Sequence, residues 1–204
     1  MNNNYFRNDE YWKKHINKEL EEDMWLDKYQ KYFNNKGKCL DLGCGIGQYS
    51  KWFMEKGYDV LSADISDIAL KEVSKFNKNI MKLDMMNDFP FEDNTFQLVF
   101  ANLSIHYFSN DDTKKLMDKI YRILKKGGLF VGSVNSFKGY KYIKNQAVEL
   151  DDHFYFYNDK NIRLFDLEDV KKYLFKYDIL EIKEEETVRF NHKKNYIIFV
   201  ARKN

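Results

Sequence analysis

The sequence predicts an α/β fold: a Rossmann-like, doubly wound, mostly parallel seven-stranded sheet with helices on both faces and a C-terminal antiparallel hairpin. Three observations predict it. Short apolar runs alternate with helical stretches between residues 38 and 134, at the spacing that parallel βαβ crossovers need. A glycine-rich turn, Gly43-Cys44-Gly45-Ile46-Gly47, joins the first strand to a helix. The tail then breaks the alternation, with residues 178–188 and 196–202 reading as two strands around the polar turn Asn191-His192-Lys193-Lys194-Asn195.

Each element has a local reason. Ile16, Leu20 and Met24 fall four apart among charged residues, which predicts an amphipathic helix or helix pair over 10–33. Residues 38–42 form a short apolar strand that stops at Gly43. A helix over 48–56 is closed by Gly57. Strand 58–63 leads to Ser66-Asp67, a cap for helix 68–76. Strand 80–83 follows. The turn Glu92-Asp93-Asn94 precedes strand 96–101, and Asp111-Asp112 opens a helix to Leu124. Gly127-Gly128 turns into strand 129–134. Residues 153–157 and 161–165 read as an aromatic β-hairpin with its turn at Asn158-Asp159-Lys160. Helix 166–175 is capped by Asp166.

Composition bounds the function. The chain has 204 residues, is 44% hydrophobic and carries a formal charge of +2. That near-neutrality argues against a dedicated nucleic-acid binder. The longest apolar run, 196–201, is far too short to span a bilayer, so no membrane partner is expected. The N-terminus has no apolar signal region. Cys39 and Cys44 have no further cysteines to pair with, which excludes a disulfide scaffold and a four-cysteine zinc site and predicts a cytoplasmic protein without a metal. No linker divides the chain. It reads as a single domain over 1–204, with 1–34 as a helical lid and 133–165 as an insert capping the active site, in a monomer or homodimer.

The informative segment is Asp41-Leu42-Gly43-Cys44-Gly45-Ile46-Gly47. In open α/β sheets ligands bind at the carboxyl ends of strands, and glycines let backbone approach a ligand closely. Glycines alone are equally consistent with a tight turn. Three acids add weight: Asp41 at the end of the first strand, Asp64 after the second and Asp84 after the third. A carboxylate in the second position suits a ribose diol, and one in the third can accept from an adenine amino group.

The chain here resembles the class I S-adenosylmethionine-dependent methyltransferases over roughly residues 36–135. Asp41 to Gly47 matches their first motif, Asp64 their ribose acid, and Leu83-Asp84-Met85 their adenine segment. Residues 89–99 and 124–130 resemble the lead-ins to their fourth and fifth strands. Ser104-Ile105-His106-Tyr107-Phe108 looks like a tellurite-resistance-type subgroup. The resemblance implies S-adenosyl-L-methionine as cofactor, held by Asp41, Gly43, Cys44, Gly45, Gly47, Tyr49, Asp64, Ile65, Asp84, Met85 and Asn102. It implies methyl transfer to a small-molecule acceptor. Two alternatives remain: a non-catalytic binder of the same cofactor or its product, and a nicotinamide enzyme. Against the latter, Gln48 stands where the dinucleotide fingerprint needs its third glycine.

Methyl transfer is an in-line displacement for which orientation matters most, so a catalytic residue is optional. His106 reads either as a base or acceptor-orienting group, or as a cap or packing histidine. Tyr11, Trp12, Tyr107 and Arg163 are the candidate acceptor-binding residues. Tyr11 and Trp12 read equally as helix packing. Asn102 lacks the prolines of the exocyclic-amine signature, which makes DNA amine methylation less suited to this chain. Cys44 reads as a small buried residue without a reactive role.

Overall fold

Two short helices stand at the N-terminus, where a helix or helix pair was expected, in this computed structural model, which describes residues 9–16, 25–189 and 192–204. Helix α1 (Asp9–His15) buries no side chain fully, whereas the 3₁₀ turn Trp25–Tyr32 buries Trp25, Leu26 and Tyr29. Leu20 and Met24, which completed the expected stripe, lie outside the described residues.

The βαβ series runs β1 (Lys38–Leu42), α2 (Gln48–Glu55), β2 (Asp59–Asp64), α3 (Asp67–Val73), β3 (Ile80–Lys82), β4 (Phe96–Asn102), α4 (Asn110–Ile123) and β5 (Leu124–Asn135). An insert follows, with α5 (Tyr140–Ile143), β6 (Val148–Asp151), β7 (Phe154–Tyr157) and β8 (Lys160–Arg163). Helix α6 (Leu167–Tyr173) leads to β9 (Tyr177–Arg189) and β10 (His192–Lys203). The seven-stranded sheet has the order β3-β2-β1-β4-β5-β10-β9. Strand β1 pairs in parallel with both β2 and β4, while β10 is antiparallel to β5 and β9. The order reverses between β1 and β4, and this is where an open α/β sheet leaves a crevice.

Side-chain alternation divides the core between the two faces. Leu40, Leu42, Val99 and Phe130 pack with α4 residues Leu116 and Ile120 on one face. Cys39, Leu98, Phe100 and Val131 pack with Trp25, Phe33 and Phe53 on the other. Asp41, between Leu40 and Leu42, therefore points to the α2 face, the only acid buried within that strand.

Four boundaries differ from the sequence reading. Helix α4 is capped by Ser109, whose hydroxyl accepts from the Asp112 amide, so the acids fill its first turn instead of capping it. Gly127-Gly128 is absorbed into β5 as an irregularity, since Leu98 pairs with Leu129 while Phe96 pairs with Leu124. The insert is a three-stranded sheet. Its β7–β8 turn, at Asn158 and Asp159, has φ of 49° and 58°, as a tight hairpin requires. Strand β6, Val-Glu-Leu-Asp, is exposed along its length and alternates apolar with polar residues over only four positions. Finally, His192 to Asn195 are strand residues paired with Arg189 to Glu186, so four of the five residues read as a turn belong to β10.

Candidate functional site

The loop after β1 is shaped by close approaches. Gly43 has φ of 76°, and a Cβ there would lie 2.4 Å from Ser104 Cβ and 2.9 Å from Met85 Cε. Gly45 has φ of 55°, and its Cβ would lie 2.6 Å from the Trp12 ring. No L side chain is accommodated at either position. The Gly43 and Cys44 amides both donate to the Ala63 carbonyl, at 2.8 and 2.9 Å, which holds the loop against the end of β2.

Two carboxylates face this loop. Asp41 is 2% exposed and accepts a 2.6 Å bond from Ser50 Oγ. Burial pushes its carboxyl up to about 7, with the Ser50 bonds pulling down and the neighbouring Asp64 pushing up. Asp64 accepts from the Gly45 amide through Oδ2 at 2.8 Å and from the Ser66 amide through Oδ1 at 2.9 Å. Burial also raises its carboxyl above the usual range, against the pull of those amides. Burial raises the Cys44 thiol well above its ordinary value, so it stays protonated, in keeping with a packing role.

These groups line a cleft of about 910 Å³, counting the part open to solvent, at the carboxyl ends of β1, β2 and β4. Of the residues proposed from sequence, Asp41, Gly43, Cys44, Gly45, Tyr49, Asp64, Ile65, Met85, Asn102, Trp12 and Tyr107 line it. Trp12 arrives on α1, which is fastened by Asp9. The Asp9 carboxylate accepts from Ser66 Oγ at 2.6 Å and from the Ile68 amide at 3.2 Å, at the start of α3. Asn102 Oδ1 accepts from Ser133 Oγ at 2.6 Å and Trp25 Nε1 at 3.2 Å, which fixes the side chain across the β4–β5 boundary.

Five proposed residues are placed elsewhere. Gly47 starts α2, and a Cβ on it would meet Phe76 and Val73, so it serves helix packing. Asp84 turns back to accept from the Met86 amide at 2.8 Å, while its neighbours Leu83 and Met85 enter the cleft. Tyr11 stacks on His15 with ring centroids 4.0 Å apart and meets the Trp12 ring edge-on at 5.1 Å, so it stands beside Trp12 without lining the cleft. His106 is 2% exposed and packs behind Tyr107, centroids 4.2 Å apart. Arg163 is 4% exposed, and its Nε and Nη1 donate to the carbonyls of Phe108 and Asp152 at 3.2 and 3.0 Å. Its amide also donates to the His106 carbonyl at 2.7 Å. The insert therefore braces the 106–108 segment through Arg163, and no residue of 136–165 lines the cleft.

Gln48, which sequence reasoning does not propose, also lines the cleft, as do Leu103 and Ser104, to which it gives no individual role within the segment after β4. Ser104 Oγ donates to the Leu42 carbonyl at 2.7 Å, tying the loop after β4 to the end of β1. Leu103 has φ of 50°, which is unusual for a branched residue and marks the turn where β4 meets the cleft. Neither has a local sequence signature.

Residues 40–132 match the family described as methyltransferase domain. The chain is 29% identical over 120 residues to malonyl-[acyl-carrier protein] O-methyltransferase of Hamiltonella defensa, covering 57% of this chain and 45% of that protein. It is 34% identical over 98 residues to the human mitochondrial protein named arginine-hydroxylase NDUFAF5, covering 47% of this chain and 28% of that one. It thus spans less than half the length of either relative. In fold it is similar to a SAM-dependent methyltransferase of Methanosarcina mazei, with a TM-score of 0.76 and 15% identity over 86% of this chain and 96% of that one. The glycine loop and the strand-end acids thus lie within the stretch 40–132 that matches the methyltransferase domain family, on a fold similar to that of SAM-dependent methyltransferases.

Proposed function

We propose that the protein transfers a methyl group from S-adenosylmethionine to a small-molecule acceptor. The observation that carries this reading is the cradle itself. Gly43 and Gly45 let the loop backbone close against Ser104, Met85 and Trp12 at the wall of the cleft, and Asp41 and Asp64 line that cleft from β1 and β2. The donor set fits a nucleoside bearing an amino acid: Asp64 for the ribose hydroxyls, Asp41 for the ammonium, and Ile65, Leu83 and Met85 for the adenine faces. Bound there, the cofactor supplies an electrophilic methyl group on a sulfonium.

The chain's own part is to orient and to exclude water. Trp12 covers the loop, and Tyr49, Asn102 and Tyr107 border the β4 side where an acceptor would enter. Among the described residues none lining the cleft is Lys, Arg or His, while two are carboxylates. That charge pattern supports a neutral or cationic acceptor and disfavours an anionic one. His106 stands behind Tyr107, which supports a shaping role, so His106→Ala should lower turnover by much less than the ~10²-fold expected on losing a general base.

The hydroxylase name of one relative keeps the reaction open to test. Fractionated metabolite pools incubated with the protein and S-adenosylmethionine should release S-adenosylhomocysteine in one acceptor-dependent fraction. Tight cofactor binding with no release in any fraction would favour a non-catalytic binding protein.

A further inference from the structure

Asp41 is the end of a buried hydrogen-bond chain that starts on the far side of β2. Ser50 Oγ, on α2, meets Asp41 Oδ2 at 2.6 Å. Ser62 Oγ, on β2, meets Ser50 Oγ at 2.7 Å, and Asn77 Nδ2 meets Ser62 Oγ at 3.0 Å. Ser50 and Ser62 are fully buried and Asn77 is 6% exposed, so water does not supply alternative partners.

Proton counting gives the chain one direction. The Asn77 amide is oriented by backbone: its Oδ1 accepts from the Asn79 amide at 3.0 Å, and the two protons of Nδ2 are shared among Ser62 Oγ and the Val60 carbonyl, both at 3.0 Å, and the Asn79 carbonyl at 3.2 Å. Its nitrogen can only donate, so Ser62 Oγ accepts from it. Each serine has a single hydroxyl proton. Ser62 spends its proton on Ser50, and Ser50 spends its own on Asp41. A proton placed on Asp41 Oδ2 would leave two donors facing each other.

Resting on the reading of the cleft as an S-adenosylmethionine site, we propose that Asn77, Ser62 and Ser50 are positioning residues. They act through Asp41, keeping its carboxylate an acceptor and aiming it at the amino-acid end of the cofactor. The rest of the site is consistent with this. Burial alone drives Asp41 towards its neutral form, and the Ser50 bonds oppose that drive. The chain reaches Asp41 from behind, leaving the face that lines the cleft to the ligand. It touches neither Asp64 nor the apolar residues assigned to adenine, so its influence should be confined to one end of the ligand.

Two ligands test this on the intact protein: S-adenosylhomocysteine, which carries the amino-acid end, and methylthioadenosine, which keeps the nucleoside and lacks that end. Ser62→Ala and Ser50→Ala should each weaken S-adenosylhomocysteine by about three- to tenfold in calorimetry, the range of one buried hydrogen bond. Methylthioadenosine should bind both variants as it binds the unaltered protein, which also reports that they are folded. Equal weakening of both ligands, or none of either, would overturn the positioning role. Failure of the unaltered protein to bind either ligand would instead overturn the cofactor reading, and this inference with it.

Discussion

The Gly45 amide donates to Asp64 Oδ2 across 2.8 Å, so the acid that ends β2 fastens the glycine loop that follows β1. The same carboxylate anchors Ser66 at the start of α3. Asp64 therefore shapes the loop besides facing a ligand.

Replacing it should be felt twice. Asp64→Ala removes charge-assisted bonds to two amides, each worth roughly 1.5–3 kcal/mol. The variant should melt earlier than the unaltered protein without ligand. It should also bind S-adenosylhomocysteine at least ~10-fold more weakly, from the loss of one such bond. Normal binding by the same titration would mean that the ribose contact lies elsewhere.

Two glycines with similar backbone angles should respond very differently. Gly43 and Gly57 have φ of 76° and 86°, but a Cβ at Gly43 collides with Ser104 and Met85, whereas at Gly57 it meets open space. Gly57→Ala should cost about 1 kcal/mol of stability, the strain of a left-handed alanine, and leave the cleft intact. Gly43→Ala should cost more, displace Ser104 and abolish ligand binding. Thermal melts paired with calorimetry on both variants separate the two effects.

What the sequence shows and hides follows from distance along the chain. The strand–turn–helix around Gly43, the caps at Ser66 and Asp166 and the two cleft acids are local patterns, and they stand where expected. The bond from Ser104 to the Leu42 carbonyl was not legible, because it joins residues 62 apart. Sequence reasoning offers Arg163 as an acceptor-binding residue and leaves His106 between a base and a packing histidine. Both are polar residues next to aromatic ones, and only the packing of the insert against 106–108 reveals that they face inward. The Asp41 chain combines Ser50, Ser62 and Asn77 from three elements, none of them conspicuous in the sequence.

The Asp41 carboxyl titrates over a predictable window. Its ordinary value is 3.8 and burial raises it to about 7 in the fold. The folded state thus binds this proton more tightly than the unfolded one. The stability it contributes is fully present below 3.8 and is lost as pH rises through about 7. A ligand ammonium favours the ionised form, so S-adenosylhomocysteine should bind more tightly at pH 8 than at pH 6. Asp64 is also raised and adds a slope of the same sign. Asp41→Asn should therefore weaken binding and flatten, without abolishing, its pH dependence in buffers across that range.

Arg163 should matter to the segment it braces more than to the cofactor. Arg163→Ala removes the guanidinium bonds to the Phe108 and Asp152 carbonyls, while the Phe108 carbonyl keeps the longer Thr113 hydroxyl contact, and empties the space over the Phe154 ring, 5.1 Å from the guanidinium carbon. A loss of roughly 1.5–3 kcal/mol is expected, the scale of hydrogen bonds to a buried charged group. Turnover should fall while S-adenosylhomocysteine affinity changes little. Arg163→Lys should recover only part of the stability, because one ammonium does not reproduce the planar fork. A large loss of affinity in either variant would place the guanidinium's influence on the cofactor instead.

The position of β10 sets a timetable for the chain as it is made. This strand is inserted between β5 and β9, and its residues Val200 and Ala201 are wholly enclosed. The first five strands therefore emerge and associate while the flank of β5, with its buried Val131 and Val134, still lacks its neighbour. At synthesis rates of ~5–20 residues per second, that open flank persists for several seconds, long enough for another nascent chain to pair with it. Newly made protein should consequently depend on chaperones and on low expression temperature far more than the finished fold does.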